Sequence, residues 1–477
     1  MEMFSRRAAL RAGIASTAVA GGLAAGASEA QAAPAGTTTD TGEGWTSVLD
    51  HGAIGDGTTD DTAAVQAALN HATTTGKSVY FPAGRTFRVF NQLTARNLAD
   101  VVIEGQGATI ALAGGPVSVK GEYAILRLQD CARVKIFGLT FIDTVRAEQY
   151  DGVRIVRSTG IVVESVRVQS TRFNGIVVYD VSPGLSDDIV ITNCTTEDTR
   201  FGISTNGRDV RISDNHVAMD WLSTDEARRY DYVHPGFGSD SDYFDGICVW
   251  QGGDRTVIAD NTLTEIGQSA IWVQSATNVV VSGNTTIGAQ LHGIEIDGLS
   301  LGAQASGITI TGNVVIDSVN ANINLIGTTE ATVVGNRVVN SKATVNATGI
   351  AINTKSSKVT VTGNQIRQAN PAREAILVKD NTEKEPAARA LDVTIGWNTV
   401  DAAIPYSAPV DTTVIQRSGA GLISAQASLK TTGKVIAVGG LGIGNSVAAT
   451  AVGAVVRKME VFGSSGQSLG FVSIHSS

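Results

Sequence analysis

The sequence predicts an all-β fold in which short strands coil into a parallel β-helix, and two repeated patterns carry that prediction. The first pattern is a β-rich segment that ends in Asn, and it recurs at 189–193, 210–215, 257–261, 279–284, 308–313, 332–336, 359–364 and 393–398. The second pattern alternates apolar residues, and it lies between the first at 175–178, 202–203, 246–249, 270–273, 293–296, 322–325 and 349–352. Alternation is the period of a β-strand, so each repeat holds two or three short strands.

A repeat this short cannot bury its own apolar face, so it must stack on the next repeat. The recurring Asn predicts a ladder of side-chain amides at one corner of every coil, and Asn also suits a left-handed turn there. The 46 positions between Asn215 and Asn261 hold either two repeats or one repeat with a long insertion. Leucine-rich repeats are the main alternative, but their Leu-x-x-Leu-x-Leu frame is absent.

A capping helix is predicted ahead of the repeats, because the open end of a stack exposes apolar core and strand edges. Gly55-Asp56-Gly57 predicts a turn, and Asp60 or Asp61 is placed to cap a helix. The apolar face of that helix comprises Val65, Ala68, Leu69 and Ala72. A strand and a turn follow at 78–84.

Residues 51–72 with 76–84 resemble the opening of the pectate-lyase-like superfamily, which includes rhamnogalacturonases, polygalacturonase-like hydrolases, mannuronan epimerases and phage tailspike depolymerases. Together with the repeats, the resemblance spans 45–400 and implies a right-handed parallel β-helix. The opening motif carries no catalytic residue, so it does not choose among the reactions of the family.

The ends of the chain differ from the repeats. Residues 1–32 predict a twin-arginine signal peptide, because Ser5-Arg6-Arg7-Ala8-Ala9-Leu10-Arg11 precedes an Ala/Gly-rich stretch and an Ala30-Gln31-Ala32 cleavage site; an ordinary secretory signal is the alternative. The expected partner is therefore the twin-arginine export machinery, and the expected location is secreted or in the cell envelope. Residues 402–430 predict a linker, and 431–477 a small β module or C-terminal cap with a hairpin of 459–462 and 469–472.

Composition excludes several classes of protein. The net charge of −9 disfavours a nucleic-acid binder, since phosphate contacts need clustered Lys and Arg. No segment after the signal has 18 charge-free apolar residues, so no membrane span is predicted. Three widely spaced cysteines, Cys131, Cys194 and Cys248, provide neither a disulfide framework nor a zinc pattern, and they are expected to be small buried hydrophobes.

Candidate functional residues follow from the strand alternation, which places Trp250, Trp272, Glu295 and Asp297 on the outer face of one sheet. Asp245, Ser269 and His292 each come just before a strand of three successive coils, so they should line up beside that face. Outward Trp side chains suit a sugar ring. The insertion 219–244 is aromatic and too long for a coil corner, and we expect it to form a wall of the cleft.

Glycoside hydrolysis of a polysaccharide is the favoured function. Glu295 and Asp297 lie about 7 Å apart along a strand, a separation that suits an acid and a base acting through water. Asp245 is a third candidate carboxyl group, and His292 would tune a carboxylate or act as a base. Compared with polygalacturonase-like hydrolases, 243–246 keeps only the Asp and Gly, and Gln268-Ser269 replaces the paired Asp of that family.

A lyase or epimerase acting on a uronate polymer is the first alternative. Its base would be Tyr243, His292 or His234, and its carboxylate-binding residues would come from Arg172, Arg200, Arg228 or Arg229. Hydrolysis needs no cofactor or metal, whereas a lyase would use Ca²⁺ on the three carboxyl groups, although no loop has a calcium spacing. A non-catalytic glycan-binding surface protein is the second alternative.

Overall fold

The structure is a computed structural model that describes residues 44–114, 123–145, 150–219, 244–299, 303–379, 390–408, 412–417, 423–425, 455–462 and 468–475. Within these residues, three long sheets of parallel strands wind into a right-handed β-helix, with one α-helix and a separate antiparallel hairpin. The predicted fold class is confirmed. Strands are numbered in chain order.

Sheet A has 15 strands in the described residues, and all but the last pair in it are parallel. Its strands are β1 (Trp45–Ser47), β3 (Ser78–Tyr80), β6 (Val102–Glu104), β9 (Lys135–Phe137), β12 (Thr159–Glu164), β15 (Asp187–Thr192), β18 (Arg208–Ser213), β21 (Val257–Ala259), β24 (Val280–Ser282), β27 (Ala305–Thr311), β30 (Thr328–Val334), β33 (Ser357–Thr362), β36 (Leu391–Gly396), β39 (Thr413–Arg417) and β40 (Ile423–Ala425).

Sheet B contributes 13 described strands. They are β2 (Asp56–Asp60), β4 (Thr86–Val89), β7 (Thr109–Leu112), β10 (Thr140–Asp143), β13 (Arg167–Gln169), β16 (Thr195–Glu197), β19 (His216–Ala218), β22 (Thr262–Thr264), β25 (Thr285–Ile287), β28 (Val314–Ile316), β31 (Arg337–Asn340), β34 (Gln365–Gln368) and β37 (Thr399–Ala402).

Sheet C carries the candidate site and has 12 strands in the part of the chain that is described. They are β5 (Leu93–Arg96), β8 (Tyr123–Gln129), β11 (Tyr150–Val156), β14 (Asn174–Val178), β17 (Phe201–Thr205), β20 (Asp245–Val249), β23 (Ile271–Gln274), β26 (His292–Asp297), β29 (Ala321–Ile326), β32 (Thr348–Ile352), β35 (Glu374–Val378) and β38 (Ile404–Ser407).

The capping helix α1 (Thr62–Thr75) follows a short 3₁₀ helix at Val48–His51, and it buries the four predicted apolar residues Val65, Ala68, Leu69 and Ala72. Asp61 occupies the N-cap position, but its side chain does not cap the helix. Its carboxylate instead accepts hydrogen bonds from the backbone N of Ile54 at 2.6 Å and of Gly55 at 3.0 Å. The predicted turn therefore lies at Gly55, and Asp56 already begins strand β2.

The amide ladder is continuous from Asn215 through Asn398. Each ladder Asn after Asn215 accepts, on its Oδ1, hydrogen bonds from the backbone N and from the side-chain Nδ2 of the Asn one coil earlier, at 2.9–3.0 Å. Because Asn215 bonds directly to Asn261, the 46-residue gap is one coil with a long insertion. The ladder satisfies buried backbone groups at the same corner of every coil.

Two details of the predicted ladder are corrected. Asn193 is exposed, and its side-chain Nδ2 donates a hydrogen bond to Ser165 Oγ. Cys194 takes the ladder position, and its backbone N donates a hydrogen bond to Asn215 Oδ1 at 2.8 Å. The left-handed turn also belongs to the residue before the ladder Asn, as in Asp214 (φ 60°) and Asp260 (φ 57°). The ladder Asn is therefore selected for its hydrogen bonds rather than for a left-handed backbone.

Loss of one ladder amide should destabilise the protein. In Asn313→Ala, the backbone and side chain of Asn284 lose their acceptor, and Asn336 and the carbonyl of Val281 lose a donor. Each buried polar group left without a partner costs about 1–3 kcal/mol, so we expect a loss of about 2–5 kcal/mol in the free energy of unfolding, measured by urea denaturation. The control is Asn193→Gly, which keeps the left-handed backbone (φ 54°) outside the ladder and should remain within about 1 kcal/mol of the wild type. Equal losses in the two variants would contradict the ladder's role.

The cysteines and the C-terminal segment complete the fold. Cys131, Cys194 and Cys248 are all free and buried, and burial raises the pKa of the Cys194 thiol to about 12. Strands β38, β39 and β40 lie within 402–430, where the sequence predicts a linker, and they extend sheets C and A. Strands β41 (Val455–Phe462) and β42 (Ser468–His475) form an antiparallel hairpin at the predicted position. The described residues include no helix with the length and apolar character needed to cross a bilayer.

Candidate active site

Three neighbouring strands of sheet C, β20, β23 and β26, place the candidate residues on the outside of the β-helix. Their inward side chains are fully buried, as in Ile247, Ile271 and Ile294. The outward positions pair across the strands, with Trp272 beside Glu295 and Gln274 beside Asp297. The strands therefore show the predicted alternation of inward and outward side chains.

A pocket of about 420 Å³ opens on this outer face. The described residues that line it are Asp245, Gln268, Trp272, Gln274, Leu291, Glu295 and Asp297. Three candidate carboxyl groups and one candidate Trp therefore share one pocket. The pocket combines an aromatic surface with several acidic and amide groups, which is the composition expected for binding a polyhydroxylated ligand.

Close packing between coils explains why Gly follows Asp245 and His292. A Cβ atom on Gly246 would lie 2.5 Å from the carbonyl oxygen of Ala270, and one on Gly293 would lie 2.7 Å from that of Asn322. No side chain fits at these two positions, so the Gly-Ile pattern marks points where successive coils touch. The preceding residue begins the strand beside the pocket.

Asp245 is buried, with 1% of its surface exposed. Its Oδ1 accepts a hydrogen bond from the backbone N of Ser269 at 2.8 Å, and its Oδ2 has no hydrogen-bond partner among the described residues. Burial, reinforced by the negative charge of Glu295, raises the pKa of Asp245 to about 8, although Ser269 and the positive charge of Arg200 act in the opposite direction. Asp245 is therefore a protonated carboxylic acid at neutral pH.

Glu295 is held in the opposite protonation state. Its Oε2 accepts a hydrogen bond from Ser269 Oγ at 2.7 Å and lies 2.9 Å from His292 Nδ1, and its Oε1 accepts one from Asn324 Nδ2 at 3.2 Å. Burial opposes its ionisation, but His292 and the hydrogen bonds together outweigh burial and lower the pKa of Glu295. Glu295 is therefore an ionised carboxylate at neutral pH.

His292 and Asp297 complete the acidic part of the pocket. The Nε2 of His292 lies 3.1 Å from Asn320 Nδ2, so an amide that donates there would leave the proton on Nδ1, facing Glu295. Asp297 is half-buried, and its Oδ1 accepts a hydrogen bond from the backbone N of Leu299 at 2.8 Å. In the described residues, no group of three or more His, Cys, Asp or Glu side chains is arranged to hold a metal ion.

Trp250, Arg200 and Arg172 do not line the pocket, although the sequence predicts them as substrate-binding residues. The Trp250 ring packs edge-on against Tyr179 at 5.6 Å and Phe201 at 5.9 Å between ring centroids, so packing holds it within an aromatic cluster. The Arg200 guanidinium lies 5.4 Å from the Phe201 ring centroid, and its charge acts on Asp245. Arg172 is half-buried.

Three other predicted residues, Tyr243, Arg228 and His234, lie in 220–243, outside the described residues. The same holds for Arg229 and for nearly all of the insertion predicted to form a wall of the cleft. Their assignments stay predictions.

Sequence reasoning lined Ser269 up with Asp245 and His292 without giving it a role, and it did not assign Gln268 or Asn320 to the site. Ser269 is the group that connects Asp245 to Glu295, through its backbone N to the first and its Oγ to the second. The available signal was position, since Ser269 stands two residues before Ile271 as Asp245 stands two residues before Ile247, and these two Ile residues pair across β20 and β23. Which atoms meet across coils cannot be inferred from that position alone.

A variant of Ser269 should move the acid limb of the pH–rate profile. Ser269→Ala keeps the backbone bond to Asp245 but removes the hydroxyl donor that stabilises ionised Glu295. We therefore expect the pKa of Glu295 to rise, and activity at acid pH to be lost at a higher pH than in the wild type. The control is Ser282→Ala in sheet A, whose acid limb should match that of the wild type. An unchanged acid limb in Ser269→Ala would contradict the role of the Ser269 hydroxyl group in stabilising ionised Glu295.

Two family models match the sequence. One, described as rhamnogalacturonase A/epimerase, pectate lyase-like, matches 45–225, and the other, described as the right handed beta helix region, matches 151–338 and 245–387. Both matches support the pectate-lyase-like superfamily for this chain. No curated protein matches the sequence significantly.

Solved structures share this fold at low sequence identity. The A-module of the mannuronan C-5 epimerase AlgE6 of Azotobacter vinelandii is 18% identical, with a TM-score of 0.57 over 77% of this chain and 97% of that one. The Dettilon tailspike protein is 18% identical, with a TM-score of 0.60 over 76% and 68%. The tailspike of E. coli bacteriophage HK620, in complex with a pentasaccharide, is 12% identical, with a TM-score of 0.56 over 78% and 80%. Similarity at these identities establishes the fold.

Proposed function

We propose that this protein is an exported glycoside hydrolase that cleaves a polysaccharide, with Asp245 as the general acid and Glu295 as the general base. The observation that carries the proposal is the pairing of the two carboxyl groups through Ser269 in one pocket with Trp272. Their environments drive their protonation states apart, and a pair of that kind is suited to acid–base catalysis.

The reaction transfers two protons, one from Asp245 to the glycosidic oxygen and one from water to Glu295. Asp245 gives its proton to the glycosidic oxygen as the bond from that oxygen to the anomeric carbon breaks. A water molecule attacks the anomeric carbon, and Glu295 accepts the proton that the water releases. Asp245 then regains a proton from solvent, and Glu295 returns its proton, which restores the starting state.

The other residues support this step. His292 is a positioning residue, because its Nδ1 lies 2.9 Å from the Glu295 carboxylate and favours its ionised form. Asp297 lies on the same face as Glu295 and accepts hydroxyl hydrogens of the sugar. Trp272 lines the pocket and offers its ring to the apolar face of a sugar. The twin-arginine pattern of 5–11 supports export of the enzyme.

Elimination chemistry has less support from this pocket. A lyase or epimerase must neutralise the carboxylate of a uronate, and the described lining residues include no Lys or Arg. The mannuronan epimerase resembles this chain in fold alone.

Digestion of a polysaccharide panel tests the proposal. New reducing ends and the ultraviolet absorbance of unsaturated uronates are followed in the same tubes, with wild type and Glu295→Gln. Reducing ends without absorbance, absent in the variant, are the expected result. Reducing ends together with absorbance would replace the hydrolase by a lyase. Retention of a glycan in an affinity gel with no product of either kind would identify a binding protein.

A further inference from the structure

Among the residues that the structure describes, the titratable groups that line the pocket are all acidic. Asp245, Glu295 and Asp297 contribute carboxyl groups, and the other described lining residues are the uncharged Gln268, Trp272, Gln274 and Leu291. Arg200, whose positive charge acts on Asp245, lies over the rings of Phe201 and Phe173 and is not a lining residue. A ligand in the pocket therefore faces carboxylates and amides.

The hydrogen-bonding groups on offer match hydroxyl groups. Gln268 Oε1 is a buried acceptor that has no partner in the described part of the chain, and ionised Glu295 is an acceptor only. Asp245 Oδ2, also without a described partner, carries a proton at neutral pH and both donates and accepts. A sugar hydroxyl both donates and accepts, so it can satisfy every one of these groups. A carboxylate only accepts, so it could take a hydrogen bond from Asp245 but would meet Gln268 Oε1 and ionised Glu295 as further acceptors.

We propose that the sugar bound between Asp245 and Glu295 is uncharged, so that the substrate is a neutral polysaccharide rather than a uronate polymer. The cleavage of that substrate rests on the proposed function, but the preference in binding does not. The acidic pocket excludes a uronate at short range, and the net charge of −9 acts in the same direction at long range.

A matched pair of ligands tests the charge of the bound sugar directly. Polygalacturonate and alginate are each compared with their carboxyl-reduced forms, which keep the chain length and linkage but lack the charge. They are run beside neutral polymers of hexoses, deoxyhexoses and N-acetylhexosamines. Retention in affinity gels is measured with Asp245→Asn, which lacks the general acid but keeps the ionised Glu295, so that cleavage does not deplete the ligand and the charge of the pocket is unchanged.

We expect at least one neutral glycan to be retained at least tenfold more strongly than any uronate polymer, with little dependence on salt. Stronger retention of a uronate polymer than of its carboxyl-reduced form would overturn the inference, and so would retention of no neutral glycan. Cleavage of a uronate polymer by hydrolysis would leave the proposed function standing while this inference fails. Retention of a neutral glycan that the wild type leaves intact would leave this inference standing while the proposed function fails.

A charge-reversal variant tests the physical cause. Asp297→Lys places a cation in the pocket, and we expect it to gain retention on uronate polymers that the parent protein does not retain. Asp401→Lys is the matched control, because it makes the same change in net charge at a side chain that is 87% exposed on sheet B. Equal gains in the two variants would assign the effect to net charge and overturn the role of the pocket.

Discussion

Glu295→Gln should lower kcat by about 10²–10⁴-fold while the fold remains intact. Gln has nearly the shape of Glu and still offers an oxygen to Ser269 Oγ, but it cannot accept the proton that the attacking water must release. The change therefore removes the base without removing the pocket. Steady-state kinetics on a substrate found in the panel provides the measurement, and the melting temperature checks the fold.

A surface carboxylate provides the comparison for Glu295→Gln. Asp401→Asn removes a negative charge from an exposed side chain of sheet B, and its kcat should equal that of the wild type. If Glu295→Gln retained more than about a tenth of the wild-type kcat, Glu295 would not be the base, and Asp297 would be the next carboxylate to replace.

Asp245→Asn should abolish activity and at the same time stabilise the protein at alkaline pH. Between the ordinary pKa of 3.8 and the folded value of about 8, the folded protein keeps a proton on Asp245 that the unfolded chain releases. The folded state then binds more protons, so the stability that this group contributes is complete below the ordinary pKa and is lost as the pH rises toward 8. The slope is at most about 1.4 kcal/mol per pH unit.

Asn cannot ionise, so Asp245→Asn lacks this pH dependence. Urea denaturation at pH 5, 6.5 and 8 should show the variant gaining stability relative to the wild type as the pH rises, whereas Asp401→Asn should run parallel to the wild type. Activity of the wild type should fall as the pH passes about 8, where the general acid loses its proton. A constant difference between Asp245→Asn and wild type at all three pH values would contradict the protonated, buried state of Asp245.

The fold was open to sequence reasoning because the physics that selects it is local and repeated. Alternating Val and Ile recur along the repeats, most repeats carry a Gly where successive coils touch, and an Asn stands at each ladder corner from 215 to 398, so each repeat supports the interpretation of the others. The ladder position was misassigned at Asn193, where the repeat carries Asn in the turn position and Cys194 in the ladder position. A pattern of residue types alone does not distinguish two adjacent positions.

The candidate site was open to sequence reasoning only in part. Alternation along β23 and β26 sufficed to place Trp272, Glu295 and Asp297 on one outer face. It also placed Trp250 outward. It could not predict that Trp250 packs against Tyr179 and Phe201, because that packing depends on how coils far apart in sequence meet.

The sequence by itself determined the stack, the helix that caps it and the face on which the carboxyl groups stand, because each depends on periodicity within a few residues. Only the tertiary structure decided that Ser269 joins Asp245 to Glu295, since its two hydrogen bonds reach 24 positions back and 26 positions forward along the chain. It also decided the protonation states of the two carboxyl groups. A pKa depends on burial and on charges in neighbouring coils, and neither can be read from the order of residues.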